Sequence, residues 1–364
     1  MRCNDRSVVP FKSSRITKNW MTFNTPSKLT HSLILFLHNS LIAHYYNYTT
    51  LHNYSIAMSS RVGARMNIRP YKVQALMNRE GAEKLWSKLE KAFEEIYKKK
   101  TSELYFEELY RTAYNLVLQK HGDMLYQGVA DCFRKHALIV CEELLKVSDS
   151  SLLAELSIAW DENKTTIGKV KDIVMYMDKT YILHQKVVPV YCKGVSSFRE
   201  CVIYHPIIRE KMRRQLLDNV LAERNGEIID TETIKGVLNM LIELGIDGER
   251  VYETEFEELF LSASKSFYRE EYLAYSSQFS CPEYIKKVEI RFLEEAKRVN
   301  RYLSKTTEPK LRAILNTELV SDHAESLVEM EYSGCRNMMK ENNLENLKGI
   351  VTFSKINKYS FPII

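Results

Sequence analysis

Between Pro70 and Pro189 the chain runs without a single proline. That alone weighs against a β-rich fold, in which turn residues recur every ~8–12 positions. Across all 364 residues there are only 12 glycines and 8 prolines. Average usage of the two together is roughly 12%, more than twice what this chain carries. A protein so poor in chain breakers is expected to be all-α. Its 45% hydrophobic and 27% charged residues suit a globular chain rather than a disordered one. Its length allows two or three domains.

Apolar residues recur at helical spacing from residue 79 onward. Trp86, Leu89, Phe93 and Ile96 form one stripe, closed by lysines at 98–100. Phe106, Leu109, Ala113 and Leu116 form the next. Val170, Ile173, Met177 and Tyr181 lie in a long segment over 151–186. Asp230 is placed to cap a helix that runs to Leu244 and stops at Gly245. Tyr284, Val288, Phe292, Ala296, Val299 and Leu303 line another, and Thr307-Glu308-Pro309 reads as a turn with proline at a helix start. The pattern breaks predict nine to eleven helices and no sheet. One tetrapeptide recurs 150 residues apart, Phe106-Glu107-Glu108-Leu109 and Phe256-Glu257-Glu258-Leu259, as a helical repeat or chance would produce.

Charge is unevenly spread. Residues 1–58 hold six basic side chains against the single acid Asp5, while the remainder balances 46 basic against 46 acidic residues. A nucleic-acid binder needs a concentrated basic surface, so no nucleic-acid partner is expected. The most apolar run, residues 33–46, is interrupted by His38 and Asn39. A membrane helix needs ~20 mostly apolar residues, so no membrane span is expected. Residues 1–57 read as a disordered or mis-translated extension, with Met58 as the candidate start. The seven cysteines are scattered and form no C-x-x-C pair, which fits reduced thiols and a cytoplasmic and nuclear location.

Chemistry-bearing motifs are sparse. The sequence contains no Gly-rich phosphate loop, no G-x-S-x-G and no H-E-x-x-H. Cys132 and His136 stand at i, i+4 with Cys141 nearby, but no fourth ligand is in reach of a zinc set. Cys201 and His205 share that spacing, and Pro206 places them in a loop. No catalytic residue, metal or cofactor is assigned. The most informative helix spans 104–118. Tyr110 and Tyr114 stand at i, i+4 beside its core stripe, next to Glu107 and Arg111 at the same spacing. Tyrosine and arginine anchor protein interfaces, and they also line second faces inside bundles. Both readings stand on the pattern alone.

Several ordered strings resemble the amino-terminal half of a cullin, most closely the cullin-3 branch, whose members bind BTB-domain proteins. These are Phe106-Glu107-Glu108-Leu109-Tyr110-Arg111-x-Ala113-Tyr114, then Lys120-His121-Gly122, and Asp172-Ile173-Val174-Met175-Tyr176-Met177-Asp178. Glu223-Arg224-x-Gly226-Glu227-x-x-Asp230, Tyr284-Ile285-Lys286-Lys287-Val288-Glu289 and Met330-Glu331-x-Ser333-Gly334 follow in the same order. The resemblance implies stacked five-helix cullin repeats forming an elongated stalk, with the third repeat incomplete. It divides the chain into a non-family extension at 1–57, an N-terminal arm at 58–78, a first repeat at 79–200 and a second at 201–325. The start of a third follows at 326–354, then a non-family tail at 355–364.

The resemblance implies a non-catalytic scaffold arm of a ubiquitin ligase that binds a BTB-domain substrate adaptor. It places the adaptor surface on Leu104, Glu107, Tyr110, Arg111, Tyr114, Tyr176 and Lys179, and an arm contact on Met66, Ile68 and Arg69. Two positions depart from the family pattern: Tyr105 replaces a helix-capping serine, and Lys179 replaces an arginine. The carboxy-terminal cullin domain is missing from the sequence, so RING-box protein binding and ubiquitin transfer by this chain alone are not expected. A helical tethering protein with the same stalk fold and no adaptor is the competing expectation. It would bury Tyr110 and Tyr114 inside a bundle.

Overall fold

A computed structural model of the chain describes residues 77–341 apart from 247, 331 and 332. The expectations for residues 1–57, for arm residues Met66, Ile68 and Arg69, and for the tail at 355–364 lie outside the described residues. Among the described residues there is no strand, and ten α-helices have nine residues or more. The all-α expectation holds, as does the predicted number of helices.

Each helix begins where local chemistry permits. The first, α1 (Arg79–Tyr97), is capped by Asn78, whose side chain accepts the Gly81 N–H at 2.9 Å. Its stripe of Leu89, Phe93 and Ile96 is fully buried. α2 (Phe106–Leu118) and α3 (Gly122–Lys146) follow, separated by Lys120 in the left-handed region at φ 62–66° like Lys99 after α1. α4 (Leu152–Ile173) packs on α7 (Thr231–Glu243), where the Trp160 indole N–H donates to Glu243 at 2.8 Å. The Asp230 cap is as predicted, accepting the Thr233 N–H at 3.2 Å, and the helix stops before Gly245.

The long segment expected over 151–186 is helical throughout but not uniform. After α4 come the short turns Met175–Met177 and Leu183–Gln185, with a wider π-helical turn, Asp178–Ile182, between them. A π turn carries one extra residue and rotates the following side chains relative to the preceding ones. A second π turn, Arg199–Ile203, continues α5 (Val190–Phe198). Cys201 is therefore helical and not in the expected loop. Pro206 acts only one step later, opening α6 (Pro206–Arg224) with His205 at its N-cap.

Beyond a third π turn, Glu253–Glu257, lie α8 (Glu258–Gln278), α9 (Cys281–Arg301), α10 (Glu308–Leu319) and the short α11 (Ala324–Val328) and α12 (Cys335–Lys340). α9 opens on a reciprocal capping box between Ser280 and Glu283. α10 has proline in its first turn, as expected. The repeated tetrapeptide proves non-equivalent in its surroundings. Glu107 and Glu108 are exposed in the first turn of α2, whereas Phe256 and Glu257 are fully buried. The Glu257 carboxylate accepts from the Thr307 hydroxyl at 2.7 Å and pairs with Lys310 at 2.5 Å.

Candidate partner-docking face

α2 sits against α1, α3 and the turn Met175–Met177. Leu109, Ala113 and Leu116 point into the core. That leaves Glu107, Tyr110, Arg111 and Tyr114 on the opposite side, one turn apart in succession. The two rings stack at a centroid distance of 6.3 Å. Tyr176 crosses from the turn Met175–Met177 and meets Tyr114 at 4.4 Å. The three tyrosines that the resemblance places on one surface thus meet in one cluster. All three are half-buried, neither enclosed in the bundle nor free of it.

Burial, followed by the neighbouring phenols Tyr114 and Tyr176, pushes the Tyr110 hydroxyl above the usual range. Burial and then Tyr114 do the same to Tyr176. Both stay neutral at neutral pH, presenting apolar rings with hydroxyl tips that donate or accept. Arg111 donates to Glu107 at 2.7 Å, and both side chains are exposed. Such a pair contributes little to stability and leaves the remaining guanidinium N–H groups available. Lys179 is exposed on the π turn beyond Tyr176, and Leu104 is half-buried before α2. Tyr105 occupies the N-cap with no side-chain hydrogen bond, as its departure from a capping serine leads one to expect, and is 78% exposed.

Several residues fix this face from behind. The His121 ring contacts the Met77 carbonyl at 3.0 Å, and the Met77 N–H donates to Gln119 at 3.1 Å. Gly122 opens α3 directly under Tyr181, where a Cβ would lie 2.6 Å from the ring. Asp178 accepts the Val190 N–H at 3.1 Å and so ties the π turn to the start of α5. Two exposed leucines escaped the sequence reading. Leu118 is 50% exposed and lies one turn beyond Tyr114. Leu183 is 70% exposed and lies one turn beyond Lys179. Extending the i, i+4 spacing by a turn on each element would have found them.

The cysteine and histidine candidates do not assemble into a site. Cys132 and His136 share one face of α3, where the His136 ring stacks on Tyr97 at 3.9 Å. Cys141 is buried elsewhere along α3, near Cys201. Among the described residues no group of three or more His, Cys, Asp or Glu side chains is arranged to hold a metal ion. No helix among them is long and apolar enough to cross a membrane.

A family model for the cullin alpha solenoid domain matches residues 86–360, which include the whole of this face. The chain belongs to the cullin family. It is 38% identical over 272 residues to "Cullin-3" of Dictyostelium discoideum, covering 74% of this chain and 35% of that protein. It is 36% identical over 290 residues to "Cullin-3B" of Arabidopsis thaliana, covering 80% and 39%. With "Cullin-3" of Caenorhabditis elegans the identity is 33% over 305 residues, covering 82% and 39%. The chain therefore spans less than two-fifths of the length of these cullin relatives. The helices of the described residues are consistent with a cullin alpha solenoid, and the strings at 106–114, 120–122 and 223–230 lie at helix starts and ends.

Proposed function

We propose that this chain is the adaptor-binding arm of a cullin scaffold in a ubiquitin ligase, and that the tyrosine face takes up a BTB-domain substrate adaptor. The observation that carries this reading is the contact of Tyr110, Tyr114 and Tyr176 across two elements, half-exposed and unclaimed by the core. In this reading the three rings are the anchors and Leu104 is the apolar edge. Glu107, Arg111 and Lys179 supply a charged rim that selects among partners. A lysine in place of arginine at 179 offers a point charge where a planar fork would pair two oxygens at once. Met66, Ile68 and Arg69 are assigned to an arm that packs on helices flanking the BTB domain.

The stacked-repeat division proposed is 79–200, 201–325 and, from 326, the start of a third repeat, following the arm at 58–78. The scaffold works by rigid presentation. The docking face holds the adaptor, and the packed helices set its distance from the ubiquitin-conjugating machinery. No bond is made or broken by the arm itself, and ubiquitin transfer belongs to the assembled ligase in the cytoplasm and nucleus. The competing tethering reading would have Tyr110 and Tyr114 enclosed within a bundle, and their half-exposed rings favour docking.

Calorimetric titration of the chain with a panel of isolated BTB domains tests the proposal. Micromolar or tighter binding by at least one domain is expected. Tyr110→Ala/Tyr114→Ala should weaken it by about a hundredfold or more, as loss of two central aromatic anchors does. Absence of binding to every domain by a well-folded chain would overturn it.

A further inference from the structure

A second surface lies away from the tyrosine face. The C-terminal half of α1, the second half of α3 and most of α4 enclose an open cleft of about 1120 Å³. Its lining runs from Cys132 to Val147 along α3 and from Glu155 to Lys169 along α4. At 1.5 Å per residue each wall is about 20 Å long, the length of a helix of three to four turns. The floor is apolar with polar points, formed by Ile96, Tyr97, His136, Val140 and Leu144. The Tyr97 hydroxyl is buried there with no hydrogen-bond partner. At the rim, Ile139 is 45% exposed and Ile158 is 51% exposed, one on each long wall. The two face the cleft from opposite walls, where a helix laid between them would cover both.

Charge indicates the occupant. Of the lysines at the cleft, Lys98, Lys99 and Lys135 are already paired with Glu95, Glu162 and Glu94. Asp161 pairs with Lys164. Among the described residues Glu143 and Glu155 are in no ion pair, Glu90 lies near the already paired Lys135, and Lys169 is the unpaired base at the cleft. The cleft is thus helix-length, with aliphatic patches between charged rims and six acidic against four basic lining residues. We propose that it docks a basic amphipathic helix of a partner protein, laying apolar side chains between Ile139 and Ile158 and lysine or arginine against the acidic rim. The site is independent of the tyrosine face, so one arm can hold two partners at once. The His136 imidazole, kept neutral by burial, supplies a hydrogen-bonding edge on the floor without adding charge that would repel such a helix.

The probe is a labelled 14-residue leucine–lysine peptide designed as an amphipathic helix, with a leucine–glutamate counterpart, titrated into the full chain by fluorescence anisotropy. Saturable binding of the basic peptide is expected, weakened by salt, with none for the acidic one. Ile139→Glu and Ile158→Glu change only exposed side chains and should each reduce affinity at least about tenfold. Glu143→Lys/Glu155→Lys should do the same, while Tyr110→Ala/Tyr114→Ala should leave it unchanged. Binding that ignores the isoleucine substitutions, or that is lost with the tyrosines, overturns the assignment. So does a dimer in sedimentation equilibrium that Ile139→Glu dissociates, which would make a second copy the occupant.

Discussion

A methyl group added at Gly122 would stand 2.6 Å from the Tyr181 ring, closer than packed atoms approach. Gly122→Val must push Tyr181 aside, and overpacking of this kind costs about 1–3 kcal/mol. A lowered thermal midpoint is the expected readout, together with weaker adaptor binding because Tyr181 adjoins the docking face. His136 provides a prediction in pH. Burial against Tyr97 lowers its pKa to about 4 from an ordinary value near 6.5. Between those values the unfolded chain binds a proton that the folded chain refuses, so stability rises with pH across that window. The contribution is complete above pH 6.5 and lost on acidification toward pH 4. With allowance for the partly open ring, its size is on the order of 2 kcal/mol. Urea midpoints at pH 7 and pH 5 should differ more for the parent than for His136→Gln, and a ¹H–¹⁵N titration should show the ring still neutral at pH 5.

α2 enters the fold with one end unsupported. Tyr105 sits at its N-cap at φ −88° and ψ 90°, with no side-chain bond to the first turn. Tyr105→Asp supplies the missing acceptor and should stabilise the chain by about 1 kcal/mol in urea unfolding. It also removes an exposed ring beside the docking face, so stability should rise even where affinity for an adaptor falls. At the other end, Lys120 holds φ 66°, a region that glycine enters without strain. Lys120→Gly should add about 0.5–1 kcal/mol, read as a raised thermal midpoint. The helices themselves were legible in the sequence, because the stripes through Leu89, Phe93 and Ile96 or Tyr284 and Val288 have one clear period. The π turns at 178–182, 199–203 and 253–257 were not, since one extra residue in a turn leaves the apolar pattern almost unchanged. The loop expected at Cys201 rested instead on Pro206, and that proline opens α6 without ending the helical turns before it. Tyr110 and Tyr114 resisted the pattern differently. A half-exposed tyrosine has the same spacing at a surface as in a second buried face, and Tyr176 meets Tyr114 from an element that no local spacing connects to α2.

At the scale of the whole molecule, the helices from α6 onward are held by charges and not by apolar contacts alone. The Glu295 carboxylate is buried and accepts from Arg224 at 3.0 Å, from Arg298 and from the Tyr268 hydroxyl. Arg298 also reaches Glu223 at 2.5 Å, and Glu223 accepts the Tyr302 hydroxyl at 2.7 Å. The Arg224 guanidinium lies over the rings of Phe260, Phe267 and Tyr268. Burial alone would raise the Glu295 pKa, but the two arginines outweigh it and hold the carboxyl below its usual range. The network links α6, α8 and α9, and none of its members belongs to α2 or residues 175–185. Removing one partner of a buried pair strands the other charge, at a cost of about 3–5 kcal/mol. Glu295→Gln keeps the shape and removes the charge, so it should lower the urea midpoint by that measure. Arg224→Met/Glu295→Leu, which deletes two opposite charges together, should recover part of the loss. Calorimetry at low temperature, where both variants remain folded, should return the parent's affinity for a BTB domain. A matching loss of affinity would instead mean that the buried charges and the tyrosine face form one cooperative unit.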